Sequence, residues 1–191
     1  MTTEATPRLY SYDDYAAIDD DERYEVLEGE LVPMGPAPRW DHQKVAGNLF
    51  TYLNLYAMET GAGTAFVAAV DVVLKAERPA NVLQPDAGFV LRSHHDRITA
   101  PNLQGAPDLV VEVLSPSNAR KDTVRKRRLY EQYGVPEFWI VPLSVDQIEV
   151  LRLGPDGRYG AAIVFKPGDT LTSPLLPGFA LDVAKAFWNV P

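Results

Sequence analysis

Glu112 stands inside an apolar run, DLVVEVL at residues 108–114, that reads as a β-strand. An ionised carboxylate among leucines and valines is costly to bury unless it is paired or holds a metal ion. Upstream, QPDAGFVL at 84–91 sets a second acid, Asp86, at the mouth of another apolar run. Directly after Glu112's strand come six basic residues, Arg120, Lys121, Arg125, Lys126, Arg127 and Arg128. Two acids on strands beside a cationic segment point to a metal site facing a phosphate-bearing substrate.

Spacing decides which acids can share an ion. Asp108 and Glu112 are four apart on one strand, so they face the same side yet lie roughly 13 Å apart at about 3.3 Å per residue. A Mg²⁺ ion holds its ligands at about 2.0–2.1 Å, so one ion cannot reach both on a regular strand. Asp86 is the better partner for Glu112. If the runs 82–91 and 108–114 form an antiparallel pair, residue 86 enters the first arm where residue 112 leaves the second. The register that would put both on one face is not fixed by the sequence. Asp86 and Asp108 each follow a proline, where Asp commonly caps a turn. Glu112 could instead be a buried ion pair with Arg or Lys. Asp71 also interrupts an apolar run but has no second feature beside it, and is read as structural.

Lys126 lies four residues after Asp122, so the two share a helix face and can pair. A lysine at the mouth of an acidic site could orient water or stabilise charge developing on a phosphate; solvent exposure is the plainer reading. His42, at the first turn of a helix, could meet a phosphate or tune a metal-bound water, or be an ordinary surface residue. The basic run could dock phosphates through Arg120, Lys121, Arg125 and Arg128, or be a solvated face. His94 and His95 carry no ligand spacing, and no P-loop, HExxH, GxSxG or GxGxxG stands in a convincing context.

The elements that must position these residues follow from pattern. Residues 11–18 read as a short helix begun at Ser11 or Asp13. RYEVLEGELVPM reads as a hairpin turned at Glu28-Gly29. Asp41 is the expected N-cap of a helix over 41–59, with Val45, Leu49, Tyr52, Leu53 and Tyr56 on one face. Strands are expected at 64–74, 82–91 and 108–114 as antiparallel neighbours. A helix over 118–133, capped by Ser117 or Asn118 and stopped by Gly134, leads to a strand at 137–143 that pairs with them. QIEVLRL and YGAAIVF suggest a further hairpin, and LDVAKAFW a last short helix. Val110, Val111, Trp139 and Ile140 are expected in the core.

Bulk properties set the limits. A chain of 191 residues is most simply one domain, 1–191. No run approaches the ~20 apolar residues of a membrane span, and the N-terminus has no secretory pattern. Cysteine is absent, which removes thiol catalysis and zinc–thiolate sites and fits a reducing compartment, so a cytoplasmic location is expected. A net charge of −8 argues against a generic DNA-coating protein. The charge is uneven, with nine acids between residues 11 and 30.

Taken in order, RYEVLEGELV, His42 after a Pro/Gly loop, QPDAGFVL, GAPDLVVEVLSPSN, the Asp122–Lys126 spacing, YEQYGVPEFWIV and LPGFALDV resemble the Uma-two family of restriction-endonuclease-like proteins, within the PD-(D/E)XK nuclease superfamily. The resemblance covers about residues 8–188. It implies an α/β restriction-endonuclease-like core: a mixed sheet made of an antiparallel three-stranded meander plus a fourth strand, flanked by helices, with extra hairpins. It also implies a divalent-metal site, Mg²⁺ or Mn²⁺, with Asp86 and Glu112 as the two acidic motifs. Leu114 stands where the superfamily usually has its lysine, and Lys126 is the implied substitute. Asp108 would be an outer ligand or serve a second ion, while Glu30 and His42 match the pattern with roles left open. The implied activity is hydrolysis of phosphodiester bonds, in DNA, with a homodimer as a natural way to cut two strands. The alternatives are a non-catalytic nuclease-fold binding or assembly module and a hydrolase for another phosphate ester.

Overall fold

The computed structural model describes residues 8–114 and 119–190, and of residues 119–122 the backbone alone. The elements run in the order α1 (Tyr12–Ala16), β1 (Tyr24–Leu27), β2 (Glu30–Pro33), α2 (Trp40–Thr60), β3 (Gly63–Val67), β4 (Asp71–Lys75), β5 (Asn81–Leu83) and β6 (Ala87–Leu91). A 3-10 helix (Arg92–Arg97) follows, then β7 (Asn102–Gln104), β8 (Leu109–Leu114), α3 (Ala119–Gln132), β9 (Glu137–Pro142), β10 (Ile148–Arg152), β11 (Ile163–Phe165), β12 (Thr170–Ser173), β13 (Leu176–Asp182) and α4 (Val183–Ala186). Among the described residues no helix is long and apolar enough to cross a membrane.

The central sheet has the order β11-β10-β9-β8-β6-β3. Its middle is the expected meander: β6 lies antiparallel between β3 and β8, and β9 joins β8 in parallel after α3. Side chains alternate across it as a doubly covered sheet requires. Leu109, Val111, Val113, Trp139 and Val141 turn to one face, against α2, α4 and the β12–β13 ribbon. Val110, Phe138 and Ile140 turn to the other, against α3 and a second sheet of order β2-β1-β5-β4-β7. Trp139, Val110 and Val111 are fully buried and Ile140 nearly so, as expected of core residues.

Two expected strands each prove to be a pair divided between the sheets. The run 64–74 breaks at residues 68–70, leaving β3 in the central sheet and β4 in the second. Both halves are apolar, so periodicity carries no mark of the crossing. The run 82–91 breaks at Gln84–Asp86, leaving β5 in the second sheet and β6 in the central one. Pro85 supplies the break, having no N–H to give a ladder. A third difference is β7, which lies in the expected polar loop and pairs in parallel with β4. The β12–β13 ribbon was also not expected.

Local chemistry elsewhere follows the sequence. Ser11 and Asp14 close a capping box on α1. Glu28 and Gly29 both take positive φ, 52° and 81°, in the β1–β2 turn, the geometry a two-residue hairpin demands. Asp41 is not the N-cap of α2: the helix begins one residue earlier, with Arg39 at the cap, and Asp41 in its first turn accepts the His42 N–H at 2.9 Å. α3 spans 119–132 against the expected 118–133, and the expected caps Ser117 and Asn118 lie outside the described residues.

Candidate functional site

The crossing between sheets builds the site. Ala87 pairs with Val111 in the β6–β8 register, so the next step toward residue 86 brings Asp86 to the level of Glu112. One Asp86 carboxylate oxygen accepts the Val113 N–H at 2.7 Å. The same oxygen lies 3.4 Å from Nε2 of His42, which reaches in from the first turn of α2. Asp86 and Glu112 thus meet across neighbouring strands, and His42 joins them at the rim.

Glu112 faces α3. Leu129 and Tyr130 form the inward face of that helix, and Lys126 shares it at the i, i+3, i+4 spacing. Lys126 is 6% exposed; its ammonium donates to both Glu112 carboxylate oxygens, each at 3.2 Å. The plainer reading of this lysine, a solvated side chain, is therefore wrong: the residue turns inward beside aromatic and aliphatic neighbours. Tyr130 donates its hydroxyl to Glu112 at 2.7 Å.

A third acid was missed at the sequence level. Glu25, on β1, is 3% exposed and sits 2.9 Å from the Lys126 ammonium. It also accepts the Gln84 N–H at 2.7 Å, at the crossing between sheets. Its signal was the one that singled out Glu112: an acid enclosed in an apolar strand, between Tyr24 and Val26. The density of acids in residues 11–30 hid it. The Gln84 side chain is fixed in turn, its amide donating to Asp71 at 2.8 Å, which also accepts from Tyr15. Asp71 has the structural role expected of it.

Two carboxylates, Glu25 and Glu112, hold one ammonium, with Asp86 close by, and the electrostatics record the imbalance. Burial pushes the Glu112 carboxyl up to about 8, and the charges of Asp86 and Glu25 add to that against the pull of Lys126. Burial opposes charge on His42, but Asp86 outweighs it and the imidazole pKa rises above its ordinary value. The Nδ1 atom of His42 is buried with no hydrogen-bond partner among the described residues. Excess buried negative charge, hard oxygen donors and an orphaned polar atom at the rim are what a divalent cation and its water would satisfy. The donors fit such an ion chemically, although among the described residues no three of them already converge as a preformed metal cluster.

Other expected site residues lie elsewhere. Asp108 is buried at the far end of β8, where its carboxylate accepts the Leu91 N–H at 2.7 Å and pairs with Nδ1 of His94 at 2.8 Å. It ties the 3-10 helix to the sheet and does not reach Asp86 or Glu112, as the strand spacing requires. Glu30 is exposed and pairs with Arg125 at 2.7 Å. Arg125 also donates to the Leu27 carbonyl at 2.6 Å and to Glu28 at 3.2 Å, and Arg128 donates to Glu28 at 2.6 Å. These two arginines pair the β1–β2 turn with α3, Arg125 half-buried and Arg128 still largely exposed. The side chains of Arg120, Lys121 and Asp122 lie outside the described residues.

Comparison with known proteins fits this geometry. A putative nuclease belonging to DUF820 from Anabaena variabilis has a crystal structure that superposes with a TM-score of 0.75 at 17% identity, covering 93% of this chain and 97% of that one. At that identity the likeness is one of fold. No curated protein matches the chain. The Uma2 family, described as "Putative restriction endonuclease", matches residues 9–184. That span takes in every residue of the Asp86–Glu112–Lys126–Glu25 cluster, and the chain belongs to the Uma2 family.

Proposed function

We propose that the chain is a divalent-metal-dependent endonuclease hydrolysing phosphodiester bonds in DNA, with Asp86 and Glu112 as the ligands of Mg²⁺ or Mn²⁺. The observation that carries this reading is Lys126, lodged by its ammonium between Glu112 and Glu25 on the inward face of α3. It answers the Leu114 substitution, because a lysine arriving from the helix meets the same glutamate that a strand lysine would serve.

When bound, the cation would neutralise charge on the scissile phosphate and lower the pKa of a water molecule. The rest is done by the chain. Tyr130 and the Val113 N–H hold the two carboxylates in fixed orientations. Glu25 holds the Lys126 ammonium beside Glu112. Lys126 then orients the attacking water and stabilises negative charge developing on the phosphate. His42 steadies Asp86 and brings a protonatable nitrogen to the rim. On this reading Asp108, Glu30 and Arg125 shape the site without touching the ion. Two copies would bring two such sites to a duplex, one per strand, and a chain without cysteine suits the reducing cytoplasm.

A second reading, a non-catalytic nuclease-fold module, draws on one observation: Glu112 is already engaged by Lys126 and Tyr130. Supercoiled plasmid incubated with Mg²⁺ or Mn²⁺, beside Glu112→Gln, separates the two. Nicking by the wild type alone supports the endonuclease. Equal nicking by both proteins means a contaminant, and salt-sensitive binding without cleavage favours the module.

A further inference from the structure

Arg125 and Arg128 pair with Glu30 and Glu28, and α2 offers a second cationic surface. Trp40, Lys44 and Asn48 follow at i, i+4 intervals along one face of α2. The Asn48 side chain donates to the carbonyls of Ala186 and Trp188 at 3.0 and 3.1 Å, which fastens the segment after α4 alongside this face. The Lys44 ammonium sits 5.0 Å from the centre of the Trp188 ring. Lys185 lies over Tyr52 one turn further along. Yet Trp40 and Trp188 are 74% and 67% exposed.

Two indoles left largely in water, with a cation between them and Arg39 and Lys185 at the ends, are an unusual surface for an acidic chain. Large exposed aromatics are the informative exception to burial. Asp41 offsets the strip through its 3.1 Å pair with Arg39. The strip begins in the first turn of α2, the end of the helix that touches Asp86 through His42 on another face.

Resting on the nuclease reading above, we propose that Trp40, Lys44 and Trp188 form a stacking platform for an unpaired nucleic-acid strand leading to the Asp86–Glu112 centre. Alternating ring faces and cations match a single strand, whose bases are free to stack while its phosphates meet the lysines. A duplex hides its base faces. A protein partner is the poorer fit, because lysines are depleted from protein–protein interface cores.

The test is binding of a fluorescein-labelled oligo(dT) in chelator, with plasmid nicking and Mn²⁺ calorimetry in parallel. Trp40→Ala and Trp188→Ala should each weaken oligo(dT) binding by about 5- to 150-fold. Trp40→Phe should retain most of the affinity. Lys44→Met should flatten the slope of log K against log salt by about 0.7. Mn²⁺ affinity and thermal midpoint should stay at wild-type values in all four variants, which a folding defect would not allow. If the alanine variants bind oligo(dT) as the wild type does while the wild type still nicks plasmid, the platform is refuted and the nuclease reading stands. A wild type that neither binds nor cuts nucleic acid overturns both. Unchanged oligo(dT) binding with a loss of self-association in the tryptophan variants overturns the platform in favour of a contact between copies of this chain.

Discussion

Replacing Lys126 with Met tests the centre directly. Methionine keeps much of the lysine stem and removes the ammonium that contacts Glu112 at 3.2 Å and Glu25 at 2.9 Å. All three residues are less than a tenth exposed, so solvent screens the loss weakly. Breaking a buried ion pair by deleting one partner costs about 3–5 kcal/mol, because the remaining charge stays buried. Glu112 modulates that cost. Burial raises its carboxyl to about 8, from 4.5 in a free chain. A carboxyl raised on folding favours the folded state while protonated, so its contribution is full below about 4.5 and is lost as pH climbs to about 8. Lys126 pulls this value down, so its removal moves the upper end of the window higher. The loss in stability should therefore be smallest below about pH 8 and grow above it, at up to about 1.4 kcal/mol per pH unit for one group. The double variant Lys126→Met/Glu112→Gln should recover part of the loss. Urea denaturation of the metal-free protein at several pH values measures all of this. A loss below about 1 kcal/mol, parallel to the wild type at every pH, would mean that Lys126 faces solvent and that the cluster described above does not exist.

Calorimetric titration of Mn²⁺ should lose most of its heat in Glu112→Gln and keep it in Asp108→Asn, because Asp108 lies at the far end of β8; the opposite ranking would reassign the ion. Trp139→Ala should cost roughly 3–5 kcal/mol in urea unfolding, since the ring is fully buried and its N–H donates to Glu137 at 2.7 Å. Gly88→Ala should cost about 1–3 kcal/mol, because a methyl group there would run into the Phe66 ring and lie 2.7 Å from the Leu109 carbonyl oxygen. Arg128→Ala should leave the salt dependence of DNA binding unchanged, since this side chain already pairs with Glu28; a slope reduced by about 0.9 would return Arg128 to the phosphate-binding set.

By itself the sequence determined the local vocabulary: the Glu28-Gly29 turn, the amphipathic face of α2, and the buried strands around Val110 and Trp139. These depend on near neighbours, through positive φ, helical spacing and continuous apolar runs. It also marked Asp86 and Glu112, because an acid within an apolar strand is anomalous wherever that strand goes. Tertiary structure decided the rest. Nothing local told that the halves of 64–74 and 82–91 would join different sheets: Pro85 marks a break but not where each half goes, and that crossing at Gln84–Asp86 is what sets Asp86 beside Glu112. The same helix carries Lys126 inward and Arg125 and Arg128 outward, and six basic residues in nine positions look alike until the β1–β2 turn claims two of them. Glu25 reaches the site across the chain, from a hairpin 101 residues before Lys126. Contacts of that separation leave no period in the sequence, because they are fixed by how the sheets and α3 bury one another's apolar faces.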